Sequence, residues 1–520
     1  MSPDDTGRTE RVRRARVARR IDMEPPLPPP WVLARHKARV LDPTTAVTVA
    51  GVRPVRPTVY VASRLLLSPQ AEDRQALALL EATSERLGWA VEPRRGDDPE
   101  NQREPGVLRI ELSVREGTAT QAPDGWTLLQ EARAEHGLEA LQGVGLDHLL
   151  SVHPGVEANP FHQSHPFHQS HPFHQSHAGG LGSYALAGSG GRQPVAVVGP
   201  RPPRSEELSH RRPVVAVLDT GCGTHPWLDG VVRTDLTCNG SVVGLSSPGD
   251  DPEVFGDLIG PLDGGLDSVS GHGTFVAGLV HQGCPDADIV AIRVVHSDGV
   301  VVESELVDAL SELAELVRRS VDGEADGQLV DVVNLSMGYY HETPEDALFD
   351  SVMLPRLHEL GALGVAVVVS AGNDATARPL FPAAFAPFAG GPPPIPDCVP
   401  VTTVGALNPD GSVSLFNNAG PWVGAWRPGA ALVSTMPAYG GGNEPLARTR
   451  VAGQERESID PDDFSGGFAV WSGTSFASPV LAGQVAASLM RTGLPEDGST
   501  RGDRVGRMRK VLAKVLEVPS

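Results

Sequence analysis

The stretch GGFAVWSGTSFASPVLAGQVAA, Gly466 to Ala487, decides how the rest of the chain is read. Ser475 stands between a small-residue turn, Ser472-Gly473-Thr474, and a run able to start a helix. Pro479 is expected in the first helical turn, where its missing N–H would have had no partner. Ala477, Ala482, Gly483, Ala486 and Ala487 let such a helix pack closely on its neighbours. A serine at a helix N-terminus is surrounded by unpaired N–H groups and the positive end of the helix dipole. That setting suits a hydroxyl attacking a carbonyl, because the developing oxyanion is stabilised there. An N-cap serine ahead of an ordinary helix has the same appearance, so this stretch leaves both readings open.

Two further stretches shift the balance. VVAVLDTGCGTHPWL, Val214 to Leu228, is an apolar run ending in Asp219. SGHGTFVAGLV, Ser270 to Val280, sets His272 before a second small-residue helix start. The order Asp219, His272, Ser475 is one of the three common chain orders of a serine triad. Three motifs carry a resemblance to the subtilisin-like serine peptidases, the subtilases: D-T-G with a following H-P, H-G-T-x-V-A-G, and G-T-S-x-A-S-P. The resemblance spans Pro213 to Arg491. It implies Ser475 as nucleophile, His272 as general base and Asp219 as its orienting carboxylate. Asn373, in VVVSAGND, resembles the oxyanion asparagine; read alone it is a turn residue after Gly372. NLSMG, Asn334 to Gly338, resembles the strand that pairs with the substrate backbone, so Ser336, Met337 and Gly338 are candidate substrate-binding residues. Ser370, Ala371 and Gly372 resemble the wall of the S1 pocket. Pairing of an extended strand uses main-chain groups, which implies broad recognition of peptide or unfolded protein. Phe416 to Pro437 matches the family's approach to the serine.

The 520 residues carry a formal charge of −21 and are 40% hydrophobic, enough for a sizeable core and more than one domain. The acidic balance argues against nucleic acid and anionic membranes as partners. The first forty residues run the other way, with ten Lys/Arg against five Asp/Glu. No apolar run approaches the length of a membrane span, and no apolar segment follows the N-terminal arginines as a signal peptide would require; a cytoplasmic location is expected. Cys222, Cys238, Cys284 and Cys398 lack metal-ligand spacing and read as buried or free thiols. Cys222 with Cys238 is the one pairing considered.

In chain order, residues 1–57 form a basic, Pro-rich region containing EPPLPPP. From Thr58 to Pro154 the patterns read strand, helix, strand, strand, helix, strand, with the first helix over SPQAEDRQALALLEATSERLG. That is a ferredoxin-like α+β order, the topology of subtilase pro-domains, and it makes the chain's own N-terminal domain a candidate partner. Residues 155–210 read as a linker. It holds three copies of PFHQSH with six of the chain's 17 histidines, which read as flexible linker ahead of a metal site. Residues 211–520 read as the peptidase domain. The runs Val214–Leu218, Asp288–Val295, Asp331–Leu335, Val365–Val369 and Val399–Leu407 alternate mostly with helices, the pattern of a buried parallel sheet. The fold class expected is therefore α/β, a parallel sheet flanked by helices, preceded by a small α+β domain. Residues Ala438 to Ser465 read as a solvated insertion.

No cofactor and no metal ligand set is expected. The Asn-rich loop that often follows H-G-T in the family, and contributes to its calcium site, is replaced here by VHQGCPDADI. Three competing functions remain, one of them a metal-binding protein built on the histidine repeats. An aspartic-protease reading of Asp219-Thr220-Gly221 needs a second such carboxylate; the other D-T-G, Asp5-Thr6-Gly7, lies in the basic Pro-rich region, and this reading leaves the H-G-T and G-T-S motifs idle. A catalytically restrained subtilase fold serving as a binding or scaffold module retains all four chemical positions without using them.

Overall fold

The computed structural model describes residues 25–49, 55–68, 71, 75–95, 107–118, 120–152, 191–197, 199–260, 262, 264–343, 352–389, 391, 394–441, 445, 447–493 and 499–517. The basic arm before residue 25 and the PFHQSH repeats lie outside these. The described chain begins with helix α1 (Pro30–Arg35) and strand β1 (Ala38–Leu41). There follow β2 (Thr58–Leu67), α2 (Ala76–Arg86), β3 (Trp89–Arg95), β4 (Leu108–Val114), α3 (Gly125–His136) and β5 (Val144–Ser151). β2, β3, β4 and β5 pair antiparallel in the order β5-β2-β4-β3, with β1 against β2. Their apolar face, with Leu65, Leu67, Trp89 and Ile110, packs on Leu80, Trp126, Leu128 and Leu129 of the two helices. Asp124 caps α3 by accepting from Thr127 N at 2.9 Å. α2 is shorter than its sequence pattern, starting at Ala76 rather than near Ser68.

After the short β6 (Gln193–Pro194) comes β7 (Val214–Asp219), then β8 (Val232–Arg233) and the hairpin β9 (Thr237–Cys238) and β10 (Ser241–Val242). Next are α4 (His272–Gly283), β11 (Asp288–Arg293), β12 (Val300–Val302), α5 (Glu303–Val321), β13 (Val332–Leu335), α6 (Met353–Ala362), β14 (Ala366–Ser370) and β15 (Thr402–Leu407). The chain ends with β16 (Ala425–Pro428), β17 (Leu432–Thr435), the hairpin β18 (Arg448–Val451) and β19 (Gln454–Glu457), β20 (Phe468–Trp471), α7 (Thr474–Thr492) and α8 (Arg501–Glu517). Seven strands form one parallel sheet in the order β16-β15-β14-β13-β7-β11-β8. The five apolar runs supply its centre; the edge strands β8 and β16 were not anticipated, since each is short and carries an arginine.

Both faces of the sheet are covered. α5 buries Leu306, Leu310, Leu313 and Val317 in one core. On the other face α4 and α7 cross closely: a Cβ on Gly483 would lie 3.0 Å from Gly283 Cα, so the small residues are what allow the approach. Pro479 is not in the first turn of α7 but at its sixth residue. The Ser475 carbonyl, which would have paired with the missing N–H, accepts instead from Ser336 Oγ at 3.1 Å. The insertion 438–465 contains the hairpin β18–β19, exposed along its whole length.

The two parts of the molecule share a sheet. β12 pairs antiparallel with β5, so the sheet that contains β2 to β5 is extended by a strand lying beside α5. At the end of β5, Ser151 pairs with Gly338 in both directions, with N···O distances of 3.0 and 3.1 Å, and Val152 N donates to Gly299 O at 3.0 Å.

Candidate active site

β7 delivers Asp219 at its carboxyl end and α4 delivers His272 at its first residue. Nδ1 of His272 is 2.7 Å from Asp219 Oδ1, with both side chains fully buried. Asp219 Oδ1 also accepts from Thr220 N at 2.8 Å. The bond to Asp219 makes Nδ1 the proton-bearing nitrogen, and Nε2 of His272 has no hydrogen-bond partner among the described residues. The ring packs against Phe476 (5.2 Å between centroids) and edge-on to Trp471 (5.6 Å), the residues on either side of the serine turn. Ser475 is the second residue of α7, and its hydroxyl donates to Ser336 O at 3.5 Å. A loose contact of that kind is common before a substrate engages the site.

Glu253 was missed by sequence reasoning. Its buried carboxylate sits at the N-terminus of α4, accepting from Gly273 N at 2.8 Å, Thr274 N at 3.4 Å and the hydroxyls of Thr220 and Thr274. It thus ties the residue after Asp219 to the two residues after His272. Burial pushes its pKa up to about 6, against hydrogen bonds from Thr220 and Thr274 that pull it down. Gly273 is required here, since a Cβ would meet Gly221 O at 2.1 Å.

Asn373 lies just past β14. Its Oδ1 accepts from Thr474 N at 2.9 Å and Thr474 Oγ1 at 2.8 Å, locking it to the turn that carries Ser475. With the carbonyl oxygen so used, the amide NH2 is the side chain's donor group. Thr474 Oγ1 accepts in turn from Gly372 N at 3.0 Å, which ties Gly372, the residue after Ser370 and Ala371, to the residue before Ser475. Gly372 has φ +99°, and a Cβ there would meet Asn418 Nδ2 at 2.3 Å. Asn418, whose role the sequence did not disclose, accepts from Asp374 N at 3.0 Å and donates to the Tyr340 hydroxyl at 2.8 Å. Ser336, Met337 and Gly338 follow β13. Met337 turns its side chain into the main core, so only its backbone is left to face a substrate. The main chain of Gly338 already holds a strand, that of Ser151.

The four cysteines are free thiols, and Cys222 and Cys238 are not joined. Among the described residues, one cluster has ligand atoms close enough for a metal ion: His148, His341 and Glu342, within 4.8 Å of one another. His341 Nδ1, however, accepts from Thr343 N at 3.0 Å, which leaves its Nε2 protonated rather than available as a ligand. His148 bridges Glu303 (2.7 Å) and Glu342 (2.9 Å), so the group reads as an ion-pair network. No helix among the described residues is long and apolar enough to cross a membrane.

The sequence comparisons with known proteins agree on one family. The sequence profile described as the subtilase family matches residues 210–499. An intracellular serine protease of Paenibacillus polymyxa is 27% identical over 291 residues, which are 52% of this chain and 65% of the relative. Mycosin-4 of Mycobacterium tuberculosis is 27% identical over 298 residues, 54% of this chain and 56% of that protein. The chain therefore spans less than two thirds of the length of either relative. Among solved structures, fervidolysin from Fervidobacterium pennivorans, a keratinolytic enzyme related to subtilisin, aligns with 20% identity and a TM-score of 0.44 over 84% of this chain and 56% of that one. More than half of the chain is matched by the family profile, and the protein belongs to the subtilase family.

Proposed function

We propose that the chain is a serine endopeptidase that hydrolyses peptide bonds with Asp219, His272 and Ser475, and with Asn373 as an oxyanion donor. The observation that carries this reading is the 2.7 Å Asp219–His272 pair, whose imidazole packs on the two aromatic residues flanking the Ser475 turn. Ser475 attacks the scissile carbonyl as Nε2 of His272 takes its proton, the imidazolium protonates the leaving amine, and a water that gives its proton to His272 then hydrolyses the acyl-enzyme and frees Ser475. Asp219 fixes the tautomer and stabilises the imidazolium. The tetrahedral oxyanion lies between the Ser475 backbone N–H and the Asn373 amide NH2. Substrate runs as an extended strand along Ser336–Gly338, with its side chain in the slot walled by Ser370–Gly372.

Residues 58–154 act on this reading as a separate, pro-domain-like partner of the peptidase unit 211–520, with 1–57 as an N-terminal extension and 155–210 as the connector. The strand Ser151–Val152, held by Gly338 and Gly299, takes the place of a substrate strand. Four free thiols accord with a reducing compartment such as the cytoplasm, and the acidic charge with peptide rather than nucleic acid or membrane partners. The test is labelling with an active-site serine phosphonate at several pH values, wild type against Ser475→Ala. Label on Ser475, lost in the variant together with turnover (about 10⁶-fold when a triad member is removed), supports the reading. Hydrolysis that survives Ser475→Ala would refute it, and an unlabelled, inert wild type would favour the scaffold alternative.

A further inference from the structure

Arg192 lies upstream of the region matched by the family profile, within the stretch read as linker. Its guanidinium nevertheless reaches into the active-site wall. Nη1 donates to the carbonyls of Asp267 (2.9 Å), Ser268 (3.4 Å) and Ser270 (3.0 Å), and Nη2 donates to that of Leu266 (3.1 Å). Those four carbonyls belong to the turn that ends at Gly271 and delivers His272. The guanidinium carbon also stands 4.9 Å from the centre of the Trp471 ring, within range of a cation–π contact. Trp471 in turn packs edge-on against the imidazole of His272. The next residues hold the arginine in place: Gln193 and Pro194 pair with Val470 and Ala469, and Val195 N donates to Phe468 O at 3.2 Å.

The chemistry of this contact is specific to a guanidinium. Several carbonyl dipoles converge on one point, and a planar cation with a fixed fork of donors neutralises them together. Without it, the turn keeps acceptors aimed at each other, and its backbone must relax. That relaxation would carry into the position of His272, on one side through the 266–270 turn and on the other through Trp471.

We infer that Arg192 is a positioning residue for His272, and that residues 191–195 belong to the working peptidase unit although they precede the family's region. The inference rests on the peptidase reading given above. It also restricts maturation: any cut that frees the N-terminal domain falls upstream of Arg192, between residues 153 and 191.

The experiment compares wild type, Arg192→Ala and Arg192→Lys on a short peptide substrate, with intact mass of the chain after incubation. Arg192→Ala is expected to lose about 10- to 10²-fold in kcat, the scale of a small misplacement of a catalytic group, with KM within about twofold. Arg192→Lys, a point charge that cannot span the carbonyls, should fall between. Low-millimolar guanidinium should restore part of the kcat of Arg192→Ala, where the same concentration of sodium chloride does not. Fragments from active wild type should begin upstream of Arg192. Wild-type kcat in Arg192→Ala, or an active fragment that begins after Arg192, overturns the inference. If Arg192→Ala does not fold, the kcat of Arg192→Lys decides: equality with wild type overturns it. A wild type that neither hydrolyses peptide nor takes the serine label fails the peptidase reading instead.

Discussion

At the scale of the residue, the chemistry divides into groups that would touch substrate and groups that hold them. Asn373 is of the first kind. Its amide oxygen accepts two bonds from Thr474, which truncation leaves without that acceptor, so circular dichroism of the variant accompanies the kinetics. Asn373→Ala is expected to lower kcat by about 10²–10³ with KM little changed, because the bond forms only as the oxyanion develops. The magnitude is borrowed from subtilisin, a member of the same family. A large rise in KM with kcat kept would assign Asn373 to substrate binding. Glu253 is of the second kind. Glu253→Ala removes both the oxygen that accepts from Gly273 N, Thr274 N and the Thr220 hydroxyl and the oxygen that accepts from the Thr274 hydroxyl. A fall of about 10-fold or more in kcat at constant KM is expected, since His272 stands on the turn so disturbed; unchanged steady-state kinetics would show that the helix end is held without it. The residues proposed to touch substrate can be nominated from the sequence because each lies in a motif of fixed spacing. Glu253 and Arg192 cannot, since each serves a turn distant in the chain and sits in a stretch with no periodicity of its own.

At the scale of the element, helix α5 shows how the two parts of the molecule depend on one another. Its preceding residue, Val302, offers no side chain to the helix N-terminus. Asp147 of β5 does so instead, accepting from Ser304 N at 2.9 Å and Ser304 Oγ at 2.8 Å, while its second oxygen also takes Arg64 at 2.9 Å. A carboxylate at that end meets unpaired N–H groups and the positive end of the dipole. Asp147→Ala removes the cap, worth about 1 kcal/mol, and takes away one of the two carboxylates that hold Arg64, leaving Glu111 at 2.7 Å. Hydrogen exchange at Ser304, Val301 and Leu150 in the inactive Ser475→Ala background should accelerate, with the parallel sheet unaffected. Equal protection in both chains would mean that the β5–β12 pairing needs no cap. Regular elements were readable where the pattern was long: the leucine stripe of α5, the valine runs of the parallel strands, the strand–helix order from Thr58 onward. β12 was not, because three valines in sequence have no periodicity, and its partner is a strand some 150 positions earlier. Pairing of that kind is set by tertiary contact, to which local pattern is blind.

At the scale of the whole molecule, the cleft and the N-terminal domain meet in one place, and the groups there titrate. His148 of β5 is buried between Glu303 Oε2 (2.7 Å) and Glu342 Oε2 (2.9 Å), both on the opposite side of the contact. Tyr339 stacks on its ring at 4.4 Å and donates to Glu303 at 3.3 Å, and His341 lies at 5.1 Å. Burial alone would lower the pKa of His148, but the two carboxylates outweigh it and push the value up to about 10. His341 goes the other way: burial brings it down to about 4, so it is neutral in the working range and adds no second positive charge. Glu342 is drawn down to about 2 by the two histidines, against the burial that would raise it. Further out, Arg133 acts on His341 and Asp147 on Glu303, neither in contact with the His148 ring. If the domain lifts away, His148 returns towards its ordinary value of about 6.5. A pKa raised on docking contributes fully below pH 6.5, and the contribution is lost as pH rises towards 10. Between pH 6.5 and 8.5 the docking constant should therefore weaken by roughly 50-fold, so the strand Ser151–Val152 leaves Gly338 more readily on the alkaline side. The measurement is protection of the β5 and β12 amides in Ser475→Ala across that range, corrected for intrinsic exchange, beside His148→Asn. Protection should fall with pH in the first chain, and in the second it should be weaker and flat. A slope that survives in His148→Asn would place the titrating group elsewhere, and protection that grows with pH would reverse the assignment of His148 as the cation of the contact.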